Sequence, residues 1–221
     1  KKNAPLTTDH SFAIGSVSKQ FTAAAILLLH QRGKLSIHDD ISQYFPEASV
    51  YPGVQILHLL SHMSGIKDLF RIEAWSKDLA RDLTREETLN MIFEKSPEFA
   101  PGSNTAYSNS GYYLLGVICE KVSHMALNQF LKTQIFEPLQ MNHTTFLDNQ
   151  VPEFPSAIGY EKTETGYQQP FEVSPTRFYA GGSVITTLDD MLKWDKALYS
   201  DILLSGPTRE LLFEPMVCSN K

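Results

Sequence analysis

Phe12-Ala13-Ile14-Gly15-Ser16-Val17-Ser18-Lys19-Gln20-Phe21-Thr22 is the stretch on which the reading of this 221-residue chain turns. Phe12-Ala13-Ile14 reads as a short apolar strand, and Gly15 joins it to a helix over 16–32 that closes at Gly33. The apolar face of that helix is Phe21, Ala24, Ala25 and Leu28. Residues three apart on a helix share a face, so the Ser16 hydroxyl and the Lys19 ammonium come within reach of each other. Ser16 would also sit at the positive end of the helix dipole, where negative charge is favoured. A serine hydroxyl is a weak nucleophile until a base takes its proton. A lysine amine serves as that base where burial or a neighbouring cation holds it neutral. Taken alone, S-x-x-K at a helix start is equally the pattern of a cap followed by a surface lysine.

Outward from this segment the chain is mainly helical. Helices are expected over 55–61, over 84–95 behind a Thr84/Glu87 capping box, over 110–122 and over 126–136. Two more are expected over 187–199, opened by Thr187 and Asp190, and from Pro207 to Phe213. A second strand signal lies at 182–186, and 142–179 reads as long loops with brief extended pieces.

The other chemically suggestive triplet is Tyr107-Ser108-Asn109, between the Pro101-Gly102 loop and the helix expected from Ser110. In extended backbone, residues two apart project to one side, so Tyr107 and Asn109 can face one pocket. A tyrosine hydroxyl relays protons, and an asparagine amide can hold a carbonyl and steady a lysine. The competing reading is that Asn109 caps the helix while Tyr107 packs at its edge.

Composition narrows the classes. With 42% hydrophobic and 20% charged residues the chain is an ordinary folded protein. The longest apolar run, Ala23 to Leu29, is far short of the roughly 20 residues a transmembrane helix needs. A net charge of −6 without a basic cluster argues against nucleic acid as a partner. Cys119 and Cys218 have no metal-type spacing, and Cys119 reads as a buried thiol. His58 and His62 are four apart, but no acidic residue lies between them, so they read as supporting or core histidines; no metal and no cofactor is expected. Gly181-Gly182 reads as a tight turn, and the absence of G-x-S-x-G speaks against an α/β-hydrolase elbow.

Together the two motifs resemble serine β-lactamases and penicillin-binding proteins of the class C and DD-peptidase branch, with their esterase relatives. The likeness extends through His58-Leu59-Leu60-Ser61-His62-Met63-Ser64-Gly65-Ile66, which is similar to that family's "LLTHTSGL" stretch. It continues through Tyr107-Ser108-Asn109-Ser110-Gly111-Tyr112, Ile135-Phe136-Glu137-Pro138-Leu139 and Ala180-Gly181-Gly182, in the family's order over about residues 6 to 213. The S-D-N and Glu features of class A enzymes are missing.

The resemblance implies an α+β fold of the β-lactamase/transpeptidase type, mostly helical here. The expected parts are 1–45 with the nucleophile helix, a helical region over 46–180, and a return segment over 181–221. It implies Ser16 as nucleophile, Lys19 as general base sharing that role with Tyr107, and Asn109 as a binder of the substrate amide. Substrates would be β-lactams, D-amino-acid peptides or small esters; a non-turnover penicillin sensor or scaffold and an inactive homologue are the alternatives. An extracytoplasmic location is implied in the same way. The family's third element is Lys or His, one residue, then Gly, yet no glycine here has Lys, Arg or His two positions before it. That element and most of the sheet are therefore expected outside this chain, which alone would hydrolyse slowly or not at all.

Overall fold

The computed structural model describes residues 5–147, 156–171 and 173–216. Cys218 and parts of the loops expected over 142–179 lie outside the described residues. Helices form at α1 (Lys19–Gln31), α2 (Ile56–Leu60), α3 (Glu73–Ser76), α4 (Arg85–Phe93), α5 (Asn109–Ser123), α6 (Leu127–Leu131), α7 (Pro175–Phe178), α8 (Leu188–Ala197) and α9 (Gly206–Glu210). Strands are β1 (Ser11–Ala13), β2 (Thr145–Phe146), β3 (Glu161–Thr163), β4 (Gly166–Gln168) and β5 (Val184–Thr187). The result is a mostly helical α+β fold, as expected.

A small antiparallel sheet, ordered β1-β5-β2, carries the nucleophile segment. Phe12 faces Thr186 and Ala13 faces Ile185, so the chain enters the Ser16 turn in fixed register with the fully buried β5. Two bonds continue that pairing into the turn: the Ile14 N–H donates to Val184 O at 3.1 Å, and the Val184 N–H donates to Ser18 Oγ at 3.0 Å.

The first helix differs from its expected form in two ways. Residues Gly15–Ser18 make a 3₁₀ turn, and the α-helix proper begins at Lys19. Its burial is also broader than one face. Ala24, Ala25 and Ile26 have no exposed surface, and Leu27, Leu28 and Leu29 are buried with them. A helix apolar on nearly every side belongs in the core, and α1 packs along α5. Phe21, near the start of α1, has its ring 5.5 Å from that of Phe136 and 4.4 Å from that of Trp194.

The Thr84/Glu87 capping box forms as expected: the Thr84 N–H donates to Glu87 Oε2 at 2.8 Å and the Glu87 N–H to Thr84 Oγ1 at 3.1 Å. At α8 only half of the arrangement forms. Thr187 accepts the Asp190 N–H, but the Asp190 carboxylate turns to the His143 N–H and the Thr144 hydroxyl instead. The helix expected over 126–136 is α-helical only to Leu131 and widens into a π-turn over Lys132–Phe136. Cys119 is fully buried, and burial pushes its thiol up to about 12, which makes it an inert core residue.

Candidate active site

The 3₁₀ turn brings Ser16 and Lys19 together. At three residues per turn, positions i and i+3 are eclipsed, closer to superposition than on an α-helix. Lys19 Nζ stands 3.2 Å from Ser16 Oγ. The hydroxyl is exposed while Lys19 is buried at 6% exposure, so a carbonyl can reach the oxygen and water has little access to the amine.

Lys19 Nζ has two further acceptors, Asn109 Oδ1 at 2.8 Å and Gly181 O at 2.8 Å. Its three N–H directions are thereby accounted for. The rings of Tyr107 and Tyr112 stand 4.9 Å and 5.4 Å from it, each within range for a cation–π contact. Tyr107 completes the group: its hydroxyl donates to Ser16 Oγ at 2.6 Å, and the side chain is half exposed. Ser16, Lys19, Tyr107 and Asn109, the four residues singled out from the sequence, therefore occupy one hydrogen-bonded cluster.

Tyr107 and Asn109 reach it from a helix N-terminus. Ser108, rather than Asn109, is the cap of α5, with extended backbone and an Oγ that accepts the Gly111 N–H. Asn109 is the first residue of the helix, which releases its side chain from capping and turns it to Lys19.

Two features of the site were given no role in it by the sequence. The first is Gly181. A β-carbon there would lie 3.3 Å from Lys19 Nζ and 3.5 Å from Asn109 Oδ1, so the glycine lets the backbone carbonyl approach the amine. Thr22 ties the same turn to α1 by donating to Ala180 O at 2.7 Å. The Gly-Gly pair is a tight turn as expected, but one that lines the site.

The second is the segment from His62 to Asp68, which braces the Tyr107 arm. The Gly102 N–H donates to Met63 O at 2.9 Å and the Ala106 N–H to His62 O at 3.0 Å. Gly65, at φ +73°, lies so close to the Phe99 carbonyl that no side chain fits. His62 Nδ1 accepts the Ser108 N–H at 3.2 Å, and its ring lies 4.5 Å from that of Tyr107. Burial, helped by the Lys19 charge and opposed by Asp68, lowers His62 to about 4, so it is a neutral acceptor at ordinary pH. His58 instead accepts the Gln55 N–H at the start of α2. Asp68 accepts from Asn109 twice on one oxygen, from the backbone N–H at 2.8 Å and from Nδ2 at 3.0 Å.

A family model described as beta-lactamase matches residues 1–218. Penicillin-binding protein 4* of Bacillus subtilis (strain 168) is 33% identical over 230 residues, a match covering 98% of this chain and 51% of that protein. The crystal structure of a penicillin-binding protein from Bacillus halodurans superimposes with a TM-score of 0.86 at 30% identity, covering 96% of this chain and 66% of that one. The D-amino acid amidase of Ochrobactrum anthropi SV3 does so with a TM-score of 0.83 at 28% identity, covering 94% and 60%. The chain spans about half the length of the curated relatives it matches. Sequence, fold and motif order thus agree, and the chain belongs to the beta-lactamase family.

Proposed function

We propose that the protein is an acyl-transfer serine hydrolase with Ser16 as its nucleophile. The observation that carries this reading is the convergence of Lys19 Nζ and Tyr107 OH, at 3.2 and 2.6 Å, on one solvent-exposed hydroxyl. In the reactive form one member of the Lys19–Tyr107 pair has given up its own proton, and Ser16 Oγ bonds to an amide or ester carbonyl carbon as its proton passes to that member. Both groups share one oxygen, so the base is assigned to the pair. The carbonyl oxygen becomes an oxyanion, which the Ser16 N–H stabilises as one donor. When the tetrahedral adduct collapses, the bond to the leaving nitrogen or oxygen breaks and Tyr107 returns the proton to it. Asn109 Nδ2 keeps a second hydrogen beyond the one given to Asp68, and we assign that hydrogen to the substrate's amide carbonyl. Water or another acceptor then releases the acyl group.

Kinship with penicillin-binding proteins and a D-amino acid amidase supports β-lactams and D-amino-acid peptides or amides as substrates, with small esters as the wider class. The test is a time course of intact mass for the full-length protein, mixed in turn with a penicillin and an activated phenyl ester. An adduct that forms and clears within minutes is the expected result. A persistent penicillin adduct would replace turnover with a sensor or scaffold that acylates once. No adduct with either probe would leave a catalytically inactive homologue and sink the hydrolase reading.

A further inference from the structure

We propose that Asp68 is a positioning residue of this site: its carboxylate fixes which way the Asn109 amide faces and, through that amide, holds Lys19 in place. The kinetic part of this proposal rests on the serine-hydrolase reading above; the geometric part does not.

An ionised carboxylate only accepts hydrogen bonds. Asp68 Oδ1 takes both the Asn109 backbone N–H and an Nδ2 hydrogen, so the amide must present its oxygen on the opposite side, where Lys19 Nζ meets it at 2.8 Å. Without the carboxylate, nothing at that end of the amide distinguishes its two orientations. The flipped one would turn a pair of N–H donors on an ammonium and remove one of its three acceptors. Asp68 does not spend its side chain locally. It stands at the N-cap position of a 3₁₀ turn over Leu69–Arg71, yet its carboxylate makes no capping bond to that turn. The oxygen reaches instead to the first residue of the 15-residue α5, whose N-terminal dipole favours a negative charge.

The charge reaches Lys19 as well as the geometry. The titratable groups around Lys19 are Tyr107 and Tyr112, His62 behind their rings, and Asp68 beyond Asn109. His62 is neutral and Tyr112 is pushed up to about 12 by burial and by Tyr107, so neither supplies a counter-charge near neutral pH. Asp68 does. Removing its charge disfavours the ammonium, and whichever member of the Lys19–Tyr107 pair holds the titrating proton then releases it at lower pH.

The decisive experiment uses the full-length protein carrying ¹³C at the lysine ε-carbons, as wild type, D68N and D68A, with Lys19 assigned by its loss in K19M. The Lys19 titration midpoint is expected to be lower in both Asp68 variants than in wild type, because one nearby negative charge is lost. Acylation of Ser16 by a penicillin is expected to slow about 10- to 100-fold in D68A, the scale of a displaced catalytic contact. The half-saturating concentration should change little, and the acid limb of the rate profile should move to lower pH. D68N, which keeps an acceptor for Asn109, should recover part of the rate but not the midpoint. In an N109A background, D68A should lose its effect on the pH-independent rate, because the residue it orients is gone. A D68A variant with lowered Tm but an unmoved Lys19 midpoint would make Asp68 merely structural and overturn the proposal. So would an effect on the pH-independent rate that survives intact in N109A. If wild type never acylates at Ser16, the hydrolase reading fails by itself, and the Lys19 titration still decides the role of Asp68.

Discussion

The Ser16–Lys19 turn and the Tyr107–Asn109 arm deliver their side chains to one cluster by different means. The turn is local: eclipsed i and i+3 positions set the 3.2 Å contact, and β5 fixes the register through Ser18 and Ile14. The arm is not. Its two side chains reach the site because His62 holds the Ser108 N–H, Asp68 holds Asn109, and Gly65 lets the bracing segment lie against Phe99. The turn's contact is set chiefly by its own residues. A braced one can also be broken from residues that never touch the reacting atoms.

The largest effect is expected inside the turn. K19M should slow acylation of the full-length protein about 10³- to 10⁴-fold in single-turnover measurements, since it removes an amine hydrogen-bonded to the nucleophile. A loss below tenfold would move the base elsewhere. Y107F, the matching change in the arm, removes the 2.6 Å hydroxyl contact and keeps the ring over Lys19. It should cost about 10²-fold in the same assay. G181A comes next. Its β-carbon would crowd Lys19 Nζ at 3.3 Å, so the amine must move by a few tenths of an ångström. The rate should fall about tenfold with Tm nearly unchanged.

The smallest effect reads the brace by pH. His62 has its folded pKa lowered to about 4 from 6.5, so its contribution to stability is complete above pH 6.5 and lost as pH falls towards 4. His58 is lowered in the same direction by burial and His38. His62→Asn tolerates the residue's φ of +59° and offers an acceptor near Nδ1. It should flatten the decline by about 1–2 kcal/mol, discounted for partial exposure, when Tm is followed from pH 7 to 4. An unchanged slope would remove His62 from the brace.

The same contrast explains what the sequence made legible. Ser16 and Lys19 stand three apart, and the capping box of α4 shows itself as Thr84 and Glu87, because both are consequences of local geometry. The order of the motifs revealed the family and, with it, Tyr107 and Asn109. Asp68 carried no such mark: it follows Lys67 in a loop, 41 positions from the amide it orients. Gly181 looked like any turn glycine, because what matters there is how near Lys19 comes. The exact start of α1 was also hidden, since residues 15–18, tied to β5 through Ile14 and Ser18, form a 3₁₀ turn that apolar periodicity cannot register.

Mapping a covalent adduct tests the central claim most directly. The full-length protein, exposed to a penicillin, quenched in acid and digested, should carry the acyl group on the peptide containing Ser16, and S16A should carry none. Labelling of another residue, or an S16A variant acylated at the wild-type rate, would contradict the account.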